Sequence, residues 1–526
     1  MSSTERVVRS SVPVAVGTAL SRLTGMARLA AMAYALGFDR LADTYNLANT
    51  TPNIVYELLL GGVLSATLVP LFVEHREKGD DEGTSAVVSM VGLALVVLTG
   101  LGILLAPAVV RLYTLRLSDA TAAAQQQVAT DLLRMFMPQM LFYGITALAT
   151  ALLNAHRRFA APAVTPVLNN LLVTAIFLAL PHLADGPLTL ENVRDDPATL
   201  LLLGLGTTAG IVAMALPLLP ALRRAGVHLR PMFRPRHPAV RKVVRLSGWT
   251  AGYVAVNQLA LWIILVLANG TEGGISIYQG AYIFFQLPHG LVAVSLMTTI
   301  SPELAEAVAR REFAGFRRNF AMGLRLMTLV ILPASLGLMV LARPVVSLLL
   351  ERGALTSEQA DVTAACVTLL AVGLLPFSLY LYALRGFYAL QDTRTPFVLN
   401  CWENLVNVVL AVALYPAFGV EGLAFSHSAA YALAAVMSLR ALARRTGGLG
   451  LDLRARQVLA RTTVAAAVMT LAVWVATTAL PGRPPAFVQA VVGVLVGVVV
   501  YTAALSRMRV REVAEIMRRL RSRRTR

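Results

Sequence analysis

The sequence predicts an all-α polytopic membrane protein with about fourteen transmembrane helices. Three observations lead there. Hydrophobic residues fill 57% of the 526 positions and charged residues only 14%, with a mean hydropathy of +0.68, unlike a soluble chain of this length. Apolar runs long enough to cross the ~30 Å hydrocarbon layer recur throughout the chain. The 46 Lys and Arg, which leave a net charge of +18, cluster in the gaps between those runs, as they do in loops at a membrane face.

The first span, 11–36, is apolar except for Arg22 and Arg28 near its middle. The N-terminus lacks a short apolar core with a small-residue cleavage site, so this helix is read as retained. The second span, 45–72, contains Pro52 and is expected to bend there. Further spans follow at 85–110, 127–153, 162–181 and 198–222, then at 246–268, 275–300, 320–341, 362–388, 396–417 and 420–441, and last at 458–480 and 485–506. Cys366 and Cys401 fall inside apolar runs without ligand spacing, so no disulfide framework is expected.

Loop charge orients these spans. His156-Arg157-Arg158, Arg223 to Arg245, Arg310-Arg311 with Arg317-Arg318, and Arg444 to Arg461 are basic; the stretch from Arg223 to Arg245 holds eight Lys/Arg and no acid. The alternate loops are poorer in Lys/Arg, as in the run with Asp185, Glu191, Asp195 and Asp196 around one Arg, and in Asn269 to Gly274 with Glu272. The alternation predicts an even number of spans with both termini cytoplasmic. The arginine-rich tail from Arg507 to Arg526 is expected to lie on the anionic inner leaflet rather than to bind nucleic acid.

An internal repeat sets the domain plan. Residues 157–172 match 391–406, pairing Pro162 with Pro396, Val164 with Val398, Asn170 with Asn404 and Leu171 with Leu405. Tyr45 to Ala48 lies opposite Tyr278 to Ala281, and Pro70 opposite Pro302, at nearly the same offset. Six spans separate the copies, so the repeat is parallel. The expected plan is a six-helix lobe over 1–225, a second over 226–445, two additional spans over 446–508 and a basic tail over 509–526. Two lobes around a central site are what alternating access requires.

Charge at membrane depth is costly and points to a water-filled cavity or a partner. At 100° per residue Arg22, Gly25 and Arg28 fall at about 0°, 300° and 240°, so the two guanidiniums flank Gly25. Such a pair suits an anion, most simply a phosphate or pyrophosphate. The blander reading is that they snorkel or bond to neighbouring helices. Other polar residues within the first group of spans include Ser21, Asp43, Asn46, Asn49, Asn53 and Glu57; Asp43 and Glu57 could hold the arginines, bind a coupling cation or form a structural ion pair. The second group has Gln258, Gln279, Gln286, His289, Glu403 and Asn404. His289 is read as a packing residue, and Glu403 as a cavity acid or a hydrogen-bond partner of Asn400. No Walker sequence, HExxH or metal-spaced Cys/His cluster is present, so no cofactor or metal is expected and the coupling ion is left open. Asp80-Asp81 and Asp195-Asp196 are read as solvated. The GxxxG pairs at Gly206/Gly210 and Gly493/Gly497 are read as helix-packing positions.

Ser21 to Arg28, read SRLTGMAR, resembles the SRxxGxxR signature of the MurJ/MviN lipid II flippases. Ala42 to Tyr45, Pro52-Asn53, Gly61 to Phe72, Leu287 to Gly290 with Ser301-Pro302, Leu350 to Ala354 and Arg385 to Pro396 continue the resemblance over nearly the whole chain. It implies the fold of the multidrug/oligosaccharidyl-lipid/polysaccharide exporter superfamily: two six-helix lobes in a V, with two more helices forming a groove for a lipid tail. It implies a transporter, not an enzyme, in the bacterial cytoplasmic membrane. Its substrate would be the undecaprenyl-linked peptidoglycan precursor, and its surroundings membrane lipids and other cell-wall synthesis proteins. Arg22, Arg28 and Asp43 sit where the family places functional first-lobe residues; Ser21, Asn53 and Glu57 complete the expected substrate set, with Gln258, Gln279, Gln286 and Glu403 on a second-lobe cavity face. Two departures stand out. Many members have basic residues just after the Pro-Asn, where Tyr56 and Glu57 stand here, and an Asp-Arg pair where Tyr282 and Ile283 stand. The substrate-facing cationic charge is therefore expected in the first lobe. The competing readings are an exporter of another polyprenyl-linked glycan or of drugs, for which an acidic cavity would be usual, and a non-transporting scaffold of cell-wall assembly.

Overall fold

The computed structural model describes residues 3–58, 68–117, 119–479 and 484–510. Part of the Gly61–Phe72 run and the tail beyond 510 lie outside them. All the regular elements among the described residues are helices, in the order α1 Ser3–Leu36, α2 Arg40–Tyr56, α3 Val69–Lys78, α4 Asp81–Tyr113, α5 Asp119–Phe136, α6 Gln139–Ala155, α7 Ala160–Leu183, the short α8 Leu190–Asp195, α9 Pro197–Ala215 and α10 Leu218–Arg224. There follow α11 Pro238–Ala268, α12 Gly274–Pro288, a π turn at His289–Ala293, α13 Val294–Ala309, α14 Phe313–Leu350, α15 Ser357–Val372, α16 Leu374–Ala389, α17 Arg394–Thr446, α18 Leu453–Thr478 and α19 Ala486–Arg507. Each expected apolar span overlaps one of these helices or a consecutive pair. Ten helical stretches among the described residues are long and apolar enough to cross a membrane, or eleven when α15 and α16, bent by 43°, count as one span.

Helix ends follow local chemistry. Gly37 takes a positive φ of 64°, and Asp39 then caps α2 by accepting from the N–H groups of Leu41 and Ala42. Asp80 caps α4 through Gly83, and Asp196 caps α9 through Ala198 and Thr199. The long α17 is broken at Gly419, which has φ 54° and ψ −136°. Its two arms fold back on each other: the Ser426 hydroxyl donates to Asn407 Oδ1 at 3.0 Å, whereas a straight helix would hold those residues about 28 Å apart.

Two compact units emerge, Met1–Ser276 with Arg352–Thr356, and Ile277–Glu351 with Ser357–Arg526. Contact and sequence repeat divide the chain differently, because α11 is tied to the first unit. Asn269, at its end, donates to the Tyr113 carbonyl and exchanges hydrogen bonds with Gln125, while its own carbonyl accepts from Arg40. At the start of α11, Lys242 pairs with Glu74 at 2.6 Å. Together with Lys78 it holds the Glu74 carboxyl well below its ordinary value, at about 2. In the second unit α14 packs on α18 and α19.

The repeat is visible in the helix ends. α3 closes through Gly79, whose N–H donates to the Arg76 carbonyl while Asp80 N–H reaches His75; α13 closes in the same way through Arg311 and Glu312, on Val308 and Ala307. This double closure is the left-handed cap favoured by glycine.

Candidate functional site

The arginine-bearing helix is fixed by one neighbour. α1 packs along α7, and glycine permits the approach: a Cβ on Gly17 would lie 2.7 Å from the Ala163 carbonyl oxygen. About two turns further along α7, Asn170 donates from Nδ2 to the Ser21 carbonyl and to the Thr24 hydroxyl, both at 3.1 Å. Thr24 in turn donates to the Leu20 carbonyl at 2.8 Å. Gly25 sits over the same amide, so the Ser21–Thr24–Gly25 face is the one that meets α7.

That contact sets where the arginines point. Arg22 is exposed and Arg28 half-buried. Among the described residues neither guanidinium is held by an ion pair or a hydrogen bond. Arg28 lies within electrostatic reach of the hydroxyls of Tyr45 on α2 and Tyr143 on α6. Tyr45 is itself fixed, with its hydroxyl 3.0 Å from Thr207 Oγ1 and its ring edge-on to Phe136 and Phe177. Tyr143 packs against Tyr56 with ring centroids 5.4 Å apart, and Glu57 follows, half-buried. Asn53 is exposed on the same helix. The first unit thus brings Arg28 near the hydroxyls of Tyr45 and Tyr143, with Tyr56 packed on Tyr143. Tyr143 was not among the residues the sequence singled out; a tyrosine inside an apolar span was its only signal.

Asp43 does something other than hold the arginines. It is fully buried, and its Oδ1 accepts from the backbone N–H and the hydroxyl of Ser276, each at 2.9 Å. Asn46 donates to the same hydroxyl. Asp43 and Ser276 are separated by 233 residues, the repeat offset. Among the described residues no ion pair joins Asp43 or Glu57 to Arg22 or Arg28.

The second-unit candidates are more scattered. Glu403 is 3% exposed and accepts from Asn404 at 2.8 Å, while Asn404 also donates to the Asn400 carbonyl. Gln286 donates to the Tyr282 hydroxyl at 2.7 Å. Gln279 is half-buried, as is Gln258, which lies on α11 in the first unit. His289 packs as expected, with Nδ1 2.9 Å from Ser378 Oγ and the ring edge-on to Phe377. A separate apolar groove of about 520 Å³ runs between α14, α18 and α19, lined by Leu338, Met469, Val473, Val494, Val498 and Tyr501. Gly493 and Gly497 allow that packing: a Cβ on Gly493 would meet the Leu341 side chain.

The family profile described as Lipid II flippase MurJ matches residues 32–504. The probable lipid II flippase MurJ of Vibrio cholerae is 30% identical over 479 residues, which cover 89% of this chain and 88% of that protein. The lipid II flippase MurJ of Burkholderia cenocepacia is 28% identical over 430 residues, 80% of each chain. Among solved structures, a lipid II flippase MurJ in an inward closed conformation superposes with a TM-score of 0.78 at 20% identity, over 94% of this chain and 99% of that one. An inward-facing multidrug resistance MATE family transporter gives a TM-score of 0.67 at 14% identity, over 83% and 100%. The fold is therefore that of these multi-pass transporters, and the chain belongs to the lipid II flippase MurJ family.

Proposed function

We propose that the protein moves lipid II, the undecaprenyl-linked peptidoglycan precursor, from the inner to the outer leaflet of the cytoplasmic membrane by alternating access. Arg22 and Arg28 take the pyrophosphate, with Ser21, Asn53 and Glu57 near the headgroup. The Tyr143 and Tyr56 hydroxyls add neutral hydrogen-bonding capacity beside Arg28. Asp43 acts through its bonds to Ser276 rather than on the substrate. The polyprenyl tail lies in the groove of α18 and α19. Both termini are cytoplasmic, and two six-helix lobes, 1–225 and 226–445, carry the motion.

The observation that carries this reading is the pair of guanidiniums on α1 that no carboxylate among the described residues neutralises. A structural arginine at membrane depth would be paired. An arginine kept for a diphosphate is left open for bidentate hydrogen bonds. The test is lipid II translocation by the purified protein in liposomes. Transfer across the bilayer is expected for the parent, and none for Arg22→Ala/Arg28→Ala. Equal transfer by the two would refute the arginine assignment, and no transfer by a folded parent would refute the function.

A further inference from the structure

The two repeats close their fourth transmembrane helix and open their fifth with the same backbone geometry but with different side chains. The turn after α6 closes at Arg157, with φ 57°; its N–H donates to the Asn154 carbonyl at 2.9 Å, and Arg158 N–H to Leu153 at 2.8 Å. The turn after α16 closes at Gln391, with φ 59°; its N–H donates to Tyr388 at 3.0 Å, and Asp392 N–H to Phe387 at 2.9 Å. The next helices start at Ala160 and Arg394. The helix that ends each repeat also matches. α10 runs into Arg223-Arg224-Ala225-Gly226 and α17 into Arg444-Arg445-Thr446-Gly447, and both glycines have positive φ, 78° and 71°.

In the second repeat these parts hold a carboxylate. Asp392 accepts from the Thr395 N–H at 3.0 Å and from the Thr395 hydroxyl at 2.6 Å, capping the start of α17. Arg445 pairs with the same carboxylate at 3.1 Å. The first repeat keeps the helix start and the arginine, since Arg224 stands where Arg445 does. Arg158 occupies the place of Asp392. No side chain caps α7. Among the described residues the side chains of Arg157, Arg158 and Arg224 have no hydrogen-bond or ion-pair partner. With Phe159 and Ala160 they line a cavity of about 390 Å³. Arg157 also holds a left-handed backbone position that glycine would take at lower cost.

We infer that this cavity binds a phosphate-bearing anion, which supplies from outside the negative charge that Asp392 supplies from within the second repeat. An uncapped helix start offers free N–H groups and positive potential. Three arginines add fork donors that suit phosphate. The anion is either free phosphate or the phosphodiester of an anionic lipid headgroup, which basic pockets at a membrane face accommodate.

The experiment measures thermal unfolding of the full-length protein with and without inorganic phosphate in detergent. A second arm compares nanodiscs of phosphatidylglycerol with nanodiscs of phosphatidylcholine. Stabilisation of the parent by phosphate identifies a free-phosphate site, and stabilisation by phosphatidylglycerol alone identifies a headgroup site; either supports the inference. Arg158→Asp restores a carboxylate acceptor for the Ala161 N–H and a partner for Arg224, though Ala161 lacks the hydroxyl of Thr395, so it should unfold no earlier than the parent without anion and lose the response. Arg224→Gln should weaken binding about tenfold, the loss of one charge-assisted contact. Arg236→Asp makes the same charge change on an exposed residue outside the cavity and should respond as the parent does. The inference is overturned if the parent responds to neither anion, or if Arg158→Asp and Arg236→Asp lose the response equally.

Discussion

Asn170→Ala perturbs the arginine helix without touching either arginine. The parent amide makes two bonds from α7 to α1, both 3.1 Å long. Interhelical hydrogen bonds in membrane proteins average about 0.6 kcal/mol each, so deleting two should cost about 1 kcal/mol. Thr24 keeps its bond to Leu20, which limits the loss. Asn170→Asp should be worse, although it has almost the same shape. A carboxylate has no N–H to give, so it would set an acceptor against the Ser21 carbonyl and bury charge between helices. The assay is equilibrium unfolding in mixed micelles, paired with lipid II translocation in liposomes. The expected order of stability is parent, then alanine, then aspartate, with transport falling in the same order. An aspartate variant as stable as the parent would refute the claim that this amide docks α1 as a donor.

Arg28→Ala should abolish translocation in a folded protein, while Arg22→Lys should fall between the parent and Arg22→Ala, because lysine keeps the charge and loses the fork; normal growth of flippase-depleted cells carrying Arg28→Ala would count against the cavity. Impermeant thiol labelling from outside should reach a cysteine at Asp195 and miss one at Arg236; the reverse pattern would overturn the loop-charge orientation. Gly17→Leu should lower the unfolding temperature sharply, since even a Cβ there meets the Ala163 carbonyl at 2.7 Å; an unchanged transition would mean that α1 and α7 are not in close contact there. At the end of α14, hydrogen bonds from Arg343 and then Ser347 lower the Glu351 carboxyl to about 2. A lowered value stabilises the fold above the unfolded-state pKa and is lost as pH falls towards 2. Glu351→Gln should therefore be less stable than the parent at pH 7 by a margin that stays constant to about pH 5 and shrinks in stronger acid; a margin that grew with acid would contradict the assigned ion pair.

Much of the helix plan was legible because membrane spans announce themselves by length and hydropathy, and breaks by proline, glycine and charge. The divide between the spans 396–417 and 420–441 falls at Gly419, where the backbone leaves helical geometry. The repeat was legible from matched Pro and Asn, and the helix closures at Gly79 and Arg311, and at Arg157 and Gln391, recur at its spacing. Which face of each helix meets which neighbour was not legible. An apolar helix in lipid has little amphipathic stripe to fix its rotation, so Asn170 could be paired with Asn404 by sequence but not with Ser21 and Thr24. The sequence leaves Asp43 open between holding the arginines, binding a coupling cation and forming a structural ion pair; its hydrogen-bond partner in the fold, Ser276, is a small hydroxyl residue 233 positions away that no charge pattern marks. Tyr143 escaped notice because tyrosine is common in apolar spans, and only three-dimensional closeness to Arg28 marks it.

The fold-back in α17 bears on how the chain enters the membrane. Adding a Cβ to Gly422 would bring it 2.9 Å from the Leu414 carbonyl oxygen, so the arms touch within a few residues of the turn and no loop is available to be translocated separately. Neither arm has a flanking cluster of Lys or Arg at the turn from Pro416 to Glu421, so the turn carries no topogenic signal of its own. The two arms are therefore expected to insert together as one helical hairpin, and the basic residues that would orient it lie at its open end, at Arg394 and Arg444-Arg445.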